Sequence, residues 1–254
     1  MGTSTESGGP IDYAAALVEQ NDRFANAIRD ADGSTPVPTC PGWTIEQLFR
    51  HVGRGDRWAG QIVADRMTEA LDPRTVRNGK PPQDIDGTVD WLHGGVRDLL
   101  DSVAEVGADT PVWTFLGPRP AEWWIRRRLH EATVHRADAQ LALGEAYELD
   151  TPLAGDCIAE WLDLLAAGRH GDELPLVPGK SLHLHGAEGG EWTIHRDGDS
   201  LVWNTGHDSG TADVSGRTVD LTLALFRRTP SDQSALEVSG DRGVWTYWLE
   251  HTAF

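Results

Sequence analysis

The stretch 130-HEATVHRADA-139 sets two histidines, a glutamate, an arginine and an aspartate into a run of helical character. A surface helix can carry such charges in water, but two imidazoles and a carboxylate within a turn and a half also suit a binding site. Helix geometry sorts them. At 3.6 residues per turn, side chains four apart lie about 40° from each other around the axis, and side chains five apart about 140°. Glu131 and His135 can therefore reach one point in space, whereas His130 and His135 cannot. The stretch also differs from the HExxH of metalloproteases, in which the histidines are themselves the pair four apart. A metal here would take Glu131 and His135. His130 falls with Trp123, Val134, Ala137 and Leu141, on a buried or half-buried face.

Two ligands from one helix do not complete a metal site, so a third must come from a neighbouring element. The stretch 40-CPGWTIEQLFRHVGRGDRWAGQIV-63 supplies a candidate. Thr44 and Gln47 form a capping box that starts a helix, and Pro41-Gly42 delivers the chain into it. Ile45, Leu48, Phe49, Val52, Ala59 and Val63 make its apolar stripe. His51 lies on the flank of that stripe beside Leu48, Gly55 and Trp58, with Gly55 expected to leave open space next to the ring. Taken alone, such a histidine is more often an interfacial residue with an ordinary hydrogen bond. Helical bundles do, however, build metal sites from inward-facing side chains on different helices.

The chain has 254 residues, enough for one large domain or two modest ones. Leu17, Val18, Phe24, Ala25 and Ile28 predict a helix over 11–28. Another is expected over about 85–106, weakened by Gly94-Gly95, and a further one from 151 with Thr151 as cap and Pro152 in the first turn. The stretch 71-LDPRTVRNGKPPQD-84 reads as a long polar loop, a lid or substrate loop. After about residue 170 the pattern alternates as in strands: 181-SLHLHG-186, 191-EWTIHRDGDSLVW-203 with an Asp197-Gly198 hairpin, 211-TADVSG-216 and 235-ALEVSG-240. Helices at 217-RTVDLTLALFRR-228 and 243-GVWTYWLEH-251 complete that half. The expected fold class is therefore α+β in two domains, a helical bundle over residues 1–165 and a small α+β domain over 166–254.

Lys and Arg number 22 against 40 Asp and Glu, a net charge of -18. Nucleic acid and an anionic membrane surface are poor partners for such a chain. No apolar run reaches the length of a membrane span, and the first nine residues lack the basic and apolar parts of a signal peptide. The two cysteines, Cys40 and Cys157, do not suggest a disulfide framework. The expectation is a soluble, cytoplasmic protein.

Together, 37-VPTCPGWTIEQLFRHVGR-54 and 126-RRRLHEATVHRADA-139 resemble the mycothiol-dependent maleylpyruvate isomerase family. The shared features are the CPGWT turn, a histidine early in the next helix, and Glu-x-x-x-His followed by Arg-x-Asp. The resemblance implies a DinB-like up-and-down four-helix bundle and, through 214-VSGRTVDLTLALFRR-228, a sterol-carrier-like second domain. It places the family's divalent metal, usually zinc, on His51, Glu131 and His135, the set favoured by the helical wheel. It also implies mycothiol as thiol cosubstrate, held by arginines. Arg74, Arg77 and Arg217 are candidates for that role, although each also suits a solvated surface.

Two neutral imidazoles and one carboxylate leave a Zn²⁺ site with net charge +1 and an open position. A thiol bound there is deprotonated outright, which supplies a thiolate at neutral pH. That thiolate could isomerise a conjugated cis double bond by adding and leaving, or could remain attached to a small electrophilic substrate. Fe²⁺ or Ni²⁺ fits the same ligands. The other readings are a zinc hydrolase using bound water, and a non-catalytic metal or metabolite-binding protein. Asp138 could orient His135 or pair with an arginine, and Cys40 reads as packing. His183 and His185 share one strand face and could chelate a metal, but the expectation is the wet face of a strand whose Leu182 and Leu184 point inward; Trp123 and Trp124 read as core and cleft wall.

Overall fold

In the computed structural model, residues 10–82, 85–168, 173–229 and 235–252 are described. The first nine residues, Gln83 and Asp84 of the polar loop, residues 169–172 and 230–234, and the last two residues lie outside them.

Helix α1, Tyr13–Ile28, starts at Asp12, whose carboxylate accepts a hydrogen bond from the Ala15 amide. It buries Leu17, Phe24, Ala25 and Ile28, while Val18, expected on the same stripe, faces solvent. Helix α2, Ile45–Ala64, begins with the expected capping box at Thr44 and Gln47, and the whole expected apolar stripe is buried.

Helix α3, Ile85–Val106, runs unbroken through Gly94-Gly95. The physical reason is close approach to α2. A Cβ on Gly95 would stand 2.8 Å from the Arg57 guanidinium and 3.1 Å from Asp56 Cβ, and one on Gly60 would stand 3.2 Å from the Leu99 backbone. These glycines lose helix propensity and gain the packing distance.

Helix α4, Trp123–Ala142, carries the opening motif and ends just before Gly144, which takes a φ of +72°. It packs on α1 and α2, while α3 packs on α2 and α1, so that the four helices form one bundle. The polar loop after α2 contains a 3-10 turn, Pro73–Thr75. Trp58 donates to the Leu71 carbonyl, Trp91 to that of Asn78 and Arg54 to that of Gly79, tying the loop to the bundle. A two-residue ladder, β1 (Pro111–Val112) with β2 (Arg119–Pro120), precedes α4.

The chain divides into two compact units, Met1–Tyr147 and Glu148–Phe254. Helix α5, Thr151–Ala166, thus lies in the second unit, whereas the run of helical patterns ahead of the strands places it with residues 1–165. Its apolar face, with Leu153, Ile158 and Leu162, packs with α6 (Thr218–Leu225) and on the sheet. A helix's own sequence shows that it has a face to bury, not which partner covers it. Its cap is Asp150 rather than Thr151, and Pro152 sits in the first turn as expected.

The second unit is built on a mixed five-stranded sheet in the order β5-β4-β3-β6-β7. The strands are β3 (Ser181–Gly186), β4 (Glu191–Asp197), β5 (Ser200–Thr205), β6 (Ala212–Gly216) and β7 (Glu237–Gly240). Only β3 and β6 pair in parallel. The β4–β5 hairpin turns at Gly198-Asp199, one residue later than expected, because Asp197 still pairs with Ser200 and Gly198 takes a φ of +58°. Leu182, Leu184, Trp192, Ile194, Ala212 and Val214 share the apolar face, with α6 and α7 (Arg242–His251) packed on the sheet. Among the described residues, no helix is long and apolar enough to cross a membrane.

Candidate metal centre

The capping box fixes the start of α2, so that His51 emerges two turns along it, facing α4. On α4, the four-residue spacing brings Glu131 and His135 to the same side. His51 Nε2 and His135 Nε2 each stand 3.5 Å from one oxygen of Glu131, Oε2. The two imidazole rings are 4.9 Å apart and nearly perpendicular, and Trp43 from the CPGWT turn lies against both.

These separations can be tested against a metal's requirements. Ligands about 2.0–2.1 Å from a tetrahedral zinc stand about 3.3 Å from one another. Two spacings of 3.5 Å between nitrogens and one shared carboxylate oxygen fit that edge length closely. The residues fit a divalent ion.

The surroundings sort the protons. Burial alone would raise the Glu131 carboxyl, but Arg127, the two imidazoles and Arg128 outweigh it and hold it well below its usual range. Glu131 uses its other oxygen, Oε1, to pair with Arg127. His51 is pushed down, chiefly by crowding of protein around the ring against the pull of Glu131. His135 is buried, which disfavours its charge. Hydrogen bonding to Asp138, Cys40 and Glu131 overcomes this and pushes it up to about 10.

Of its expected roles, Asp138 takes the one that orients His135. It is fully buried, with Oδ2 2.8 Å from His135 Nδ1. Thr39 Oγ1 donates to its other oxygen at 2.6 Å, and Cys40 Sγ approaches Oδ2 at 3.4 Å. The carboxylate thus fixes the His135 ring and leaves Nε2 pointing at Glu131, the usual arrangement behind a metal-binding imidazole. Cys40 also packs on the bundle core, in line with its structural reading. His130 is fully buried, as the wheel requires, although Leu141 on the same expected face is exposed.

Beside these residues opens a cavity of about 610 Å³ lined by α2, α4, the turn before α2 and the loops between the two helices. Trp43, Trp58, Phe115 and Trp124 form apolar walls, and Arg50, Arg54, Arg127 and Arg128 supply positive charge. Among its described lining residues, Glu131 is the sole carboxylate.

Residues 14–140 match the Mycothiol maleylpyruvate isomerase N-terminal domain, and residues 152–246 match the MDMPI C-terminal domain. The chain belongs to the mycothiol maleylpyruvate isomerase family. No curated protein sequence matches it. Solved structures that share its fold include two crystal structures. A crystal structure of the mycothiol-dependent maleylpyruvate isomerase is 17% identical with a TM-score of 0.61, over 89% of this chain and 92% of that one. A crystal structure of a histidine-to-alanine mutant of that enzyme is 16% identical with a TM-score of 0.60, at the same coverage.

Of the arginines singled out from sequence, Arg74 and Arg77 are not among the cavity's described lining residues, and Arg217 belongs to the second unit. Arg77 pairs with Asp65 at 2.7 Å, Arg74 lies 3.6 Å from Asp72, and Arg217 pairs with Glu148 at 2.7 Å. The cavity's own arginines were missed, yet helical spacing marks them. Arg54 is three residues beyond His51, and Arg127 and Arg128 are four and three before Glu131. Gly55 lines the cavity together with His51, yet the place its own Cβ would take is occupied. The space beside it is filled by the Arg128 guanidinium, which donates to Asp56 at 2.8 Å and to the Val52 carbonyl at 3.1 Å. Trp124 is buried on the cavity wall, and Trp123 packs edge-on against it.

Proposed function

We propose that this protein is an enzyme that uses a divalent metal, zinc in the first instance, to activate a low-molecular-weight thiol, mycothiol. The thiol would serve either cis-trans isomerisation or S-transfer on a small electrophilic substrate. The observation that carries this reading is the convergence of two imidazole nitrogens on one Glu131 oxygen beside a cavity, in a chain of this family. The bundle is read as DinB-like with an up-and-down course, and the second unit as sterol-carrier-like.

An ion held by His51, Glu131 and His135 would keep a bound thiol deprotonated at neutral pH. The chain's own residues do the rest. Asp138 holds the His135 ring in place. Arg127 takes up the Glu131 oxygen turned away from the imidazoles, so that the carboxylate keeps one orientation. Trp43, Trp58, Phe115 and Trp124 exclude water from the walls, and Arg50 and Arg54 can receive anionic groups of the thiol or the substrate. A hydrolase would need a second carboxylate or a free imidazole to activate water. The lack of another carboxylate among the described lining residues favours the thiol route.

The test is thiol-dependent turnover of a cis-enone or an electrophilic acceptor by the zinc-loaded protein. His51→Ala, Glu131→Ala and His135→Ala should each abolish it. Turnover of such substrates without added thiol, at an unchanged rate, would overturn the proposal.

A further inference from the structure

A second group of metal-binding side chains lies in the other unit, on the sheet face opposite Leu182 and Leu184. His183 and His185 alternate with those leucines and therefore point the same way from β3. Strand register sets Glu191 directly across from His185, and Thr193 across from His183. This face was expected to be wet, yet His183 is only 4% exposed. The chain after β5 covers it: a Cβ on Gly210 would stand 3.2 Å from His183 Cβ. That segment is pinned where the Gly210 amide donates to Asp213 and the Thr211 amide donates to Ser181 Oγ. It also carries His207, whose ring lies 6.4 Å from that of His183.

We propose that His183, His185 and Glu191 form a second divalent-cation site, for an ion of the zinc or copper class. It is independent of the site in the bundle. One ligand atom from each of the three residues falls within 4.8 Å of the others. Imidazole pairs with one carboxylate suit ions of this class. Two outer contacts orient the set as metal ligands are usually oriented. Thr193 Oγ1 holds His183 Nδ1 at 2.9 Å, which leaves Nε2 for an ion. His207 Nδ1 lies 3.1 Å from Glu191 Oε2 and 3.2 Å from Oε1, and His185 Nδ1 lies 2.9 Å from Oε1. An ion entering between His185 and Glu191 takes the place of the hydrogen bond between them, and His207 keeps a contact with the carboxylate through Oε2. His185 is half-exposed, so that the ion has a way in from solvent.

The test uses the full chain, stripped with a chelator and titrated with Zn²⁺ in competition with a chromophoric chelator. With both sites intact, two ions bind per chain. Glu131→Ala should retain one, His185→Ala should retain one, and the double variant should bind none. His207→Ala, which removes only an outer contact, should weaken the second ion by about tenfold. Because His185 is half-exposed, His185→Ala should keep its fold, checked by circular dichroism. In the Glu131→Ala background, Cu²⁺ should give an electron paramagnetic resonance signal with nitrogen hyperfine splitting that disappears with His185→Ala. If the wild-type chain binds a single ion that His185→Ala removes and Glu131→Ala does not, the second site stands and the bundle reading fails. If His185→Ala binds zinc as the wild type does and leaves the Cu²⁺ spectrum unchanged, the proposal is overturned.

Discussion

Replacing Gly55 by alanine sets two effects of opposite sign against each other. Alanine is favoured over glycine inside a helix by about 1 kcal/mol, so that propensity alone predicts stabilisation. A Cβ there, however, would stand 2.6–2.7 Å from the Arg128 guanidinium. Arg128 cannot swing aside cheaply, because it is buried against Asp56, a carboxylate with no exposure at all. Burial pushes the Asp56 carboxyl up while Arg128 pulls it down, so displacing the arginine leaves a buried acid without its main counter-charge. Removing one partner of a buried pair costs about 3–5 kcal/mol. Gly55→Ala should therefore destabilise the protein by about 2–4 kcal/mol in urea unfolding, once the propensity gain of about 1 is subtracted. The same change in an Asp56→Asn, Arg128→Met background meets no guanidinium and should stabilise by up to about 1 kcal/mol. If Gly55→Ala is stabilising in the wild-type chain, the close contact of α2 with Arg128 is wrong.

Zinc binding to the bundle should depend on pH through His135, which is pushed up to about 10 and is therefore protonated in the metal-free protein at neutral pH. A metal needs the neutral ring, so apparent affinity falls about tenfold for each pH unit below that value, and about one proton leaves per zinc at pH 7. Calorimetry of His185→Ala in buffers of different ionisation enthalpy reads the proton, and an affinity unchanged between pH 6 and 8 would refute it. In the metal-free protein the raised value favours the fold fully below pH 6.5, and this contribution is lost as pH rises towards about 10. Chelator-treated protein should accordingly unfold at lower urea at pH 9.5 than at pH 7, from this group. His130→Ala should lose about 2–4 kcal/mol of stability through a cavity and keep its bundle zinc. Loss of that zinc in a folded His130→Ala variant would contradict the helical-wheel assignment.

Local signals carried much of the fold and site into the sequence. The capping box at Thr44 and Gln47 fixes where α2 begins and hence where His51 points. The four-residue step from Glu131 to His135 fixes which of two histidines faces α2. What stayed hidden depends on contacts between distant segments. Gly55 and Gly95 read as gaps or weak points until Arg128 and Arg57 are seen to occupy the space beside them. His183 reads as a wet residue until the segment carrying Gly210 folds over it. Helix α4 buries Arg127, Arg128, Arg136 and Asp138 along with its apolar side chains, so that hydrophobic period alone does not reveal its faces.

The bundle's three side chains are proposed to hold an ion that takes up a thiol. Co²⁺ in the His185→Ala variant isolates that site and makes its ligands visible by absorption. The resting spectrum should show nitrogen and oxygen ligands only. Adding mycothiol should raise a sulfur-to-cobalt charge-transfer band in the near ultraviolet that saturates at one thiol per ion, with glutathione producing it more weakly. A spectrum that mycothiol leaves unchanged, with cobalt still bound and still lost on Glu131→Ala, would contradict the account.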